Sequence, residues 1–136
     1  MALVTGVVLA AIVGVFARLS GMDRDRAFYA TVLIIVGHYY FLFAIVGGSD
    51  GRAIAVEVAL FCLFAAIAVA GFRLNMWFVV AGLALHGVFD LVRHQFLPGE
   101  NVPSFWPDFR MAFDVAAAAV VAGMLILQRR TSQEAA

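Results

Sequence analysis

The sequence predicts an all-α integral membrane bundle of five transmembrane helices, with the N-terminus outside and the C-terminus cytoplasmic. Three observations predict it. Hydrophobic residues make up 65% and charged residues 13% of the 136-residue chain, against roughly 25% charged in soluble domains, and the mean hydropathy is +1.00. Apolar runs close to the ~20 residues that cross a bilayer recur along the chain. Short polar interruptions rich in Gly, Ser, Asp and Arg separate them.

The first span is Ala2 to Leu19. It lacks a basic leading region and its arginines follow the apolar run, so it reads as a retained helix rather than a signal peptide. The charged break Ser20 to Arg26 leads into the second span, Ala27 to Gly47, and a Gly/Ser/Asp turn over Gly48 to Arg52 leads into the third, Ala53 to Phe72. Arg73 to Asn75 forms a tight reversal before the fourth span, Met76 to Leu97. Pro98 to Asp108 is the single long connection, with three prolines beside Phe105 and Trp106. Its aromatic pair suits a lid, a lipid-contacting rim or an anchor for the last helix, which Ser104 or Asp108 is placed to cap. The fifth span is Phe109 to Gln128, so residues 1–128 form a single bundle, and 129–136 read as an unstructured polar cytoplasmic tail.

Composition excludes several chemistries. All nine basic residues are arginine, which removes any Schiff base or lysine nucleophile. Cys62 is the single cysteine, so no intrachain disulfide forms. The formal net charge is +0; the expected partner is the lipid bilayer, not a nucleic acid. Arg18, Arg24, Arg26, Arg73, Arg129 and Arg130 share one side, against Arg52, Arg93 and Arg110 on the other. Positive charge is retained in the cytoplasm, which sets the orientation and suits a bacterial inner membrane.

Ionisable groups inside the spans cost roughly 2.5–3.5 kcal/mol each at bilayer depth on the mildest scale, and so mark candidate functional residues. At about 1.5 Å per residue, Glu57, Asp90 and Asp114 stand roughly 6–11 Å below the outer ends of their spans, and His38 and His86 roughly 13–17 Å below. His94 lies nearer the rim. Stepping 100° per residue places Gly82, His86, Asp90, Arg93, His94 and Leu97 within one ~120° stripe of the fourth span. Asp114 falls near Arg110 and Ala118 on the fifth, where the run Ala116 to Ala119 permits close helix approach. Tyr39 and Tyr40 flank His38 and offer hydroxyls. Four helices thus bring polar groups to one outer-half cavity, and the first span is assigned to packing.

Counting Glu57, Asp90 and Asp114 against Arg93 leaves two negative charges to offset. Protonation would do this, as would a divalent cation: His and carboxylate ligands suit zinc, iron or manganese. On this reading His38, His86, Asp90 and His94 are the metal ligands, and Glu57 and Asp114 supply the catalytic carboxylates. Plainer readings stand beside it. Asp90 with Arg93 and Arg110 with Asp114 have the spacing of local ion pairs, Glu57 is in reach of Arg52 or headgroups, and the phenylalanines, Phe64 among them, are packing or lipid-facing residues.

The pattern His86-Gly87-x-x-Asp90-x-x-x-His94, followed by Val102-Pro103, Trp106-Pro107 and Asp114, resembles an uncharacterised group of small bacterial integral membrane proteins. The resemblance covers about the last third of the chain and implies that these positions act as a set, without implying a reaction. Where sequences of that group often have paired histidines, this chain has Arg93-His94.

Three functions fit these residues. The first is a metal-dependent membrane enzyme acting on a lipid-like substrate. The second is an electron carrier binding haem b between His38 and His86, with Gly37 and Gly87 making room. The third is a non-enzymatic protein, either a proton-coupled transporter or an accessory subunit of a homo-oligomer or larger membrane complex.

Overall fold

The computed structural model describes residues 1–97 and 102–136, apart from the side chain of His94. The described residues form five α-helices and no strand: α1 (Ala2–Ser20), α2 (Ala27–Val46), α3 (Gly51–Arg73), α4 (Trp77–Val92) and α5 (Trp106–Glu134). Short 3-10 turns follow α1 at Met22–Arg24 and α4 at Arg93–Gln95.

Local chemistry sets the helix ends. Gly21 closes α1 at φ 75°, a left-handed conformation that favours glycine, and its N–H donates to the Arg18 carbonyl. Asp50 caps α3 by accepting from the Ala53 N–H at 2.7 Å. Asn75 Oδ1 accepts from the Trp77 N–H at 3.0 Å and turns the chain into α4. Pro107, in the first turn of α5, has no N–H to leave unsatisfied there.

Three boundaries differ from expectation. α4 has 16 residues, about 24 Å of helix, and reaches toward the ~30 Å of a hydrocarbon core only with its 3-10 turn. The helix starting at Trp106 has Phe105 at its N-cap without a side-chain cap, so neither Ser104 nor Asp108 fills that role. The segment expected to be an unstructured tail is helical to Glu134. No glycine or proline interrupts it, and the Thr131 and Ser132 hydroxyls donate back to carbonyls one turn earlier.

α1 packs on α5, α5 on α4, α4 on α3, and α3 on α2. Membrane helices gain little from hydrophobic burial against one another, so small residues that allow close approach decide their contacts. The buried residues of α1 are Gly6, Ala10 and Ala17, and Gly6 lies against Phe109 and Ala112 of α5. This is the packing face expected of the first span. A Cβ on Gly87 would stand 3.2 Å from Asp114 Cβ, the Met111 carbonyl oxygen and Val115 Cγ2. That contact holds α4 tightly to α5 where the ionisable residues meet. Leu33, Val79, Leu83 and Val121 fill the centre.

The outer surface is apolar, with Val4, Ile12, Phe16, Leu63, Leu85 and Leu127 each more than half exposed. Water would not solvate such a surface well. α1, α2, α3 and α5 are long and apolar enough to cross a membrane, and the apolar bundle indicates a membrane protein.

Candidate functional site

The C-terminal half of α4 and the N-terminal half of α5 bring His86, Asp90 and Asp114 together. His86 is 2% exposed and both aspartates 0%. One turn separates His86 from Asp90, so both project from the same face of α4, and the close approach at Gly87 carries Asp114 against them. His86 Nδ1 donates to Asp114 Oδ2 at 2.7 Å and stands 3.5 Å from Asp90 Oδ2. One ligand atom from each of the three residues lies within 4.8 Å of the others. Phe64 of α3 presses on the imidazole in a T-shaped contact, with centroids 4.6 Å apart. Phe64 is therefore a buried wall of the site as well as a packing residue.

Two arginines sit beside this cluster, each matched to a different carboxylate. Arg110 Nη2 donates to both oxygens of Asp114 at 3.2 Å. Its guanidinium also faces the rings of Tyr39 and Phe113, at 5.5 and 5.7 Å from their centroids. Arg93 reaches across to Glu57 of α3 and forms an ion pair with it, and it lies over the Tyr40 ring at 3.9 Å. The local Asp90–Arg93 pair allowed by sequence spacing is replaced by this contact between elements. Glu57 pairs with Arg93 rather than Arg52.

Pairing Glu57 with Arg93 and Asp114 with Arg110 leaves Asp90 in excess. Both its oxygens are buried without a hydrogen-bond partner among the described residues. The buried Tyr40 hydroxyl likewise has no hydrogen-bond partner among the described residues. The two uncompensated charges counted from the sequence thus become one, because Arg110, absent from that count, is buried in the site at 3% exposure. The i, i+4 spacing of Arg110 and Asp114 was the signal that could have included it.

The other sequence candidates are placed apart. His38 is half-buried, its Nδ1 donates to the Ile35 carbonyl on its own helix, and it stacks on Tyr39. Among the described residues the group able to hold a metal comprises His86, Asp90 and Asp114, without His38. The side chain of His94 lies outside the described residues. Gly37 and Gly87, expected to leave room for a haem, are filled by Phe64 and by α5 respectively. Trp106 packs against Tyr39 and Phe43 of α2, at 5.3 and 5.1 Å between centroids.

A cavity of about 390 Å³ adjoins the cluster, bounded by Tyr40, Asp90, Arg93, Pro103, Ser104 and Asp108. It connects Asp90 with the end of the bundle where α4 finishes and α5 begins. No protein-family model, curated protein or solved structure matches the chain, so the chemistry rests on this geometry.

Proposed function

We propose that His86, Asp90 and Asp114 form the metal centre of a small bacterial inner-membrane enzyme acting on a lipid-like substrate, with its N-terminus outside. The observation that carries this reading is Asp90, a wholly buried carboxylate whose oxygens have no hydrogen-bond partner among the described residues, beside a histidine and a second aspartate. An unpaired charge in such a place needs a counter-charge. Binding an ion would displace the Nδ1 proton that His86 gives Asp114 in the metal-free site, and the 2.7 and 3.5 Å separations lie a few tenths of an ångström from the roughly 3.0–3.4 Å between neighbouring ligands of an ion with bonds near 2.1 Å. One imidazole and two carboxylates suit zinc, iron or manganese.

The cavity beside Asp90 would bring a substrate up to the wall of that centre. Arg93 and Tyr40 line the same cavity, where they bind and orient a polar group while the apolar remainder stays with the bilayer. An ion held by His86, Asp90 and Asp114 would supply Lewis acidity. Arg110 holds Asp114 by two hydrogen bonds, which fixes that ligand's orientation as outer-shell partners do. The charge excess of one also fits a single proton, the reading in which the site relays protons instead.

Purified protein stripped of metal and reconstituted with bacterial lipids tests the enzymatic reading. Zinc, iron or manganese is added and lipid products are followed by mass spectrometry. Metal-dependent product that disappears in Asp90→Asn is expected; absence of product with all three metals contradicts the enzyme, and metal-independent proton flux through the vesicles supports the relay.

A further inference from the structure

The opposite end of the bundle carries a second polar site, independent of the His86 cluster. A cavity of about 510 Å³ lies between the α1–α2 connection, the start of α4 and the end of α5, within the ~300–1,000 Å³ usual for small-ligand sites. Arg24, Arg26 and Arg129 line it, together with Asp23, Tyr29 and Trp77. Arg129 lies over the Trp77 ring at 5.7 Å, which holds one guanidinium at the wall. Trp is the residue favoured at the headgroup level of a bilayer.

Two buried polar atoms in this cavity lack partners. Asp23 is 7% exposed and Tyr29 2%, yet Asp23 Oδ1 and the Tyr29 hydroxyl make no hydrogen bond among the described residues. The other Asp23 oxygen meets Arg18 at 3.5 Å, whose side chain is 74% exposed, a weak surface pair. Asp25 is already engaged, accepting from the Ala27 N–H at 2.9 Å. The cavity therefore offers guanidiniums for an anion and one buried carboxylate oxygen for a donor.

An apolar groove continues from it. A cavity of about 480 Å³ runs between α1 and α5 along Gly14, Val15, Val120 and Leu127, and shares Asp23, Met124 and Gln128 with the polar cavity. Cationic groups, an unmatched acceptor and an adjoining apolar channel are the complement of a zwitterionic amphiphile. We propose that this end binds a phospholipid with a primary-amine headgroup. Its phosphate sits at Arg24, Arg26 and Arg129, its ammonium donates to Asp23 Oδ1 and to the Tyr29 hydroxyl oxygen, and one acyl chain lies in the α1/α5 groove.

Native mass spectrometry of the delipidated full chain in detergent tests this, with dioleoyl phosphatidylethanolamine, phosphatidylcholine and phosphatidylglycerol in competition. Phosphatidylcholine keeps the phosphate but its methylated amine donates no hydrogen bond. A charge-assisted hydrogen bond to a buried carboxylate carries about tenfold in affinity, so phosphatidylethanolamine is expected to be retained about tenfold over phosphatidylcholine. Asp23→Asn removes that preference, whereas Arg129→Gln weakens all three lipids together. Tyr29→Phe, which keeps the packed ring, gives a smaller loss of preference and serves where Asp23→Asn does not fold. Equal retention of the amine and choline lipids overturns the proposal, as does preference for phosphatidylglycerol, which would mean a site reading net charge alone.

Discussion

Asp114→Ala is the perturbation that most fully exposes how the cluster is held. The Asp114 carboxylate accepts from His86 at 2.7 Å and from Arg110 at 3.2 Å on each oxygen. Truncation removes these bonds and strands the Arg110 guanidinium, which at 3% exposure cannot regain water. Losing one partner of a buried ion pair costs about 3–5 kcal/mol, because the other charge is left uncompensated. Asp114→Ala is therefore expected to lower stability by about 4 kcal/mol, and Asp114→Asn, which keeps the volume and one acceptor, by about half as much. Adding Arg110→Met to Asp114→Ala removes the stranded charge and should recover at least about 2 kcal/mol relative to the sum of the single changes. Unfolding in mixed micelles, followed by circular dichroism and tryptophan fluorescence, reads all of these. A loss below about 1 kcal/mol for Asp114→Ala, or additivity within about 0.5 kcal/mol, would refute the reasoning.

Two further substitutions test the geometry around the cluster. Gly87→Ala puts a methyl 3.2 Å from three atoms of α5, so the helices must separate by a few tenths of an ångström. A cost of about 1–3 kcal/mol is expected, with weakened metal retention; unchanged stability and retention would mean that the close approach does not position Asp114. Glu57→Ala strands Arg93, 5% exposed, and should cost about 3 kcal/mol in the same unfolding assay, whereas Arg52→Ala should fall within about 0.5 kcal/mol. The reverse order would restore Arg52 as the partner of Glu57.

The helices and the His86–Asp90 face were legible because both depend on local periodicity: apolar run length gives a span, and i, i+4 spacing gives a shared face. Asp114 followed from depth along an antiparallel neighbour. What spacing could not decide was the choice among partners on different helices. Arg93 has Asp90 three residues away but pairs with Glu57 on α3, and that choice depends on how α3 and α4 pack. His38 was selected for its type and depth, yet its Nδ1 is satisfied by the Ile35 carbonyl of its own helix, an outcome that a helical wheel does not display. The buried Asp23 was equally hidden, since a charged connection such as Ser20 to Arg26 reads from sequence as solvated. The end of α5 was misread for another reason. Polarity after Gln128 marks departure from the membrane, but with no helix breaker the backbone continues to Glu134.

The central claim is that His86, Asp90 and Asp114 hold a divalent cation. Elemental analysis of the detergent-purified protein tests it most directly, with His86→Ala and Asp90→Ala prepared alongside. The expected result is about one zinc, iron or manganese per chain in the wild type and loss of that metal in both variants, with helical content unchanged. Wild-type protein that binds no metal, even after incubation with each of the three ions, would contradict the claim, as would variants that keep their full metal content.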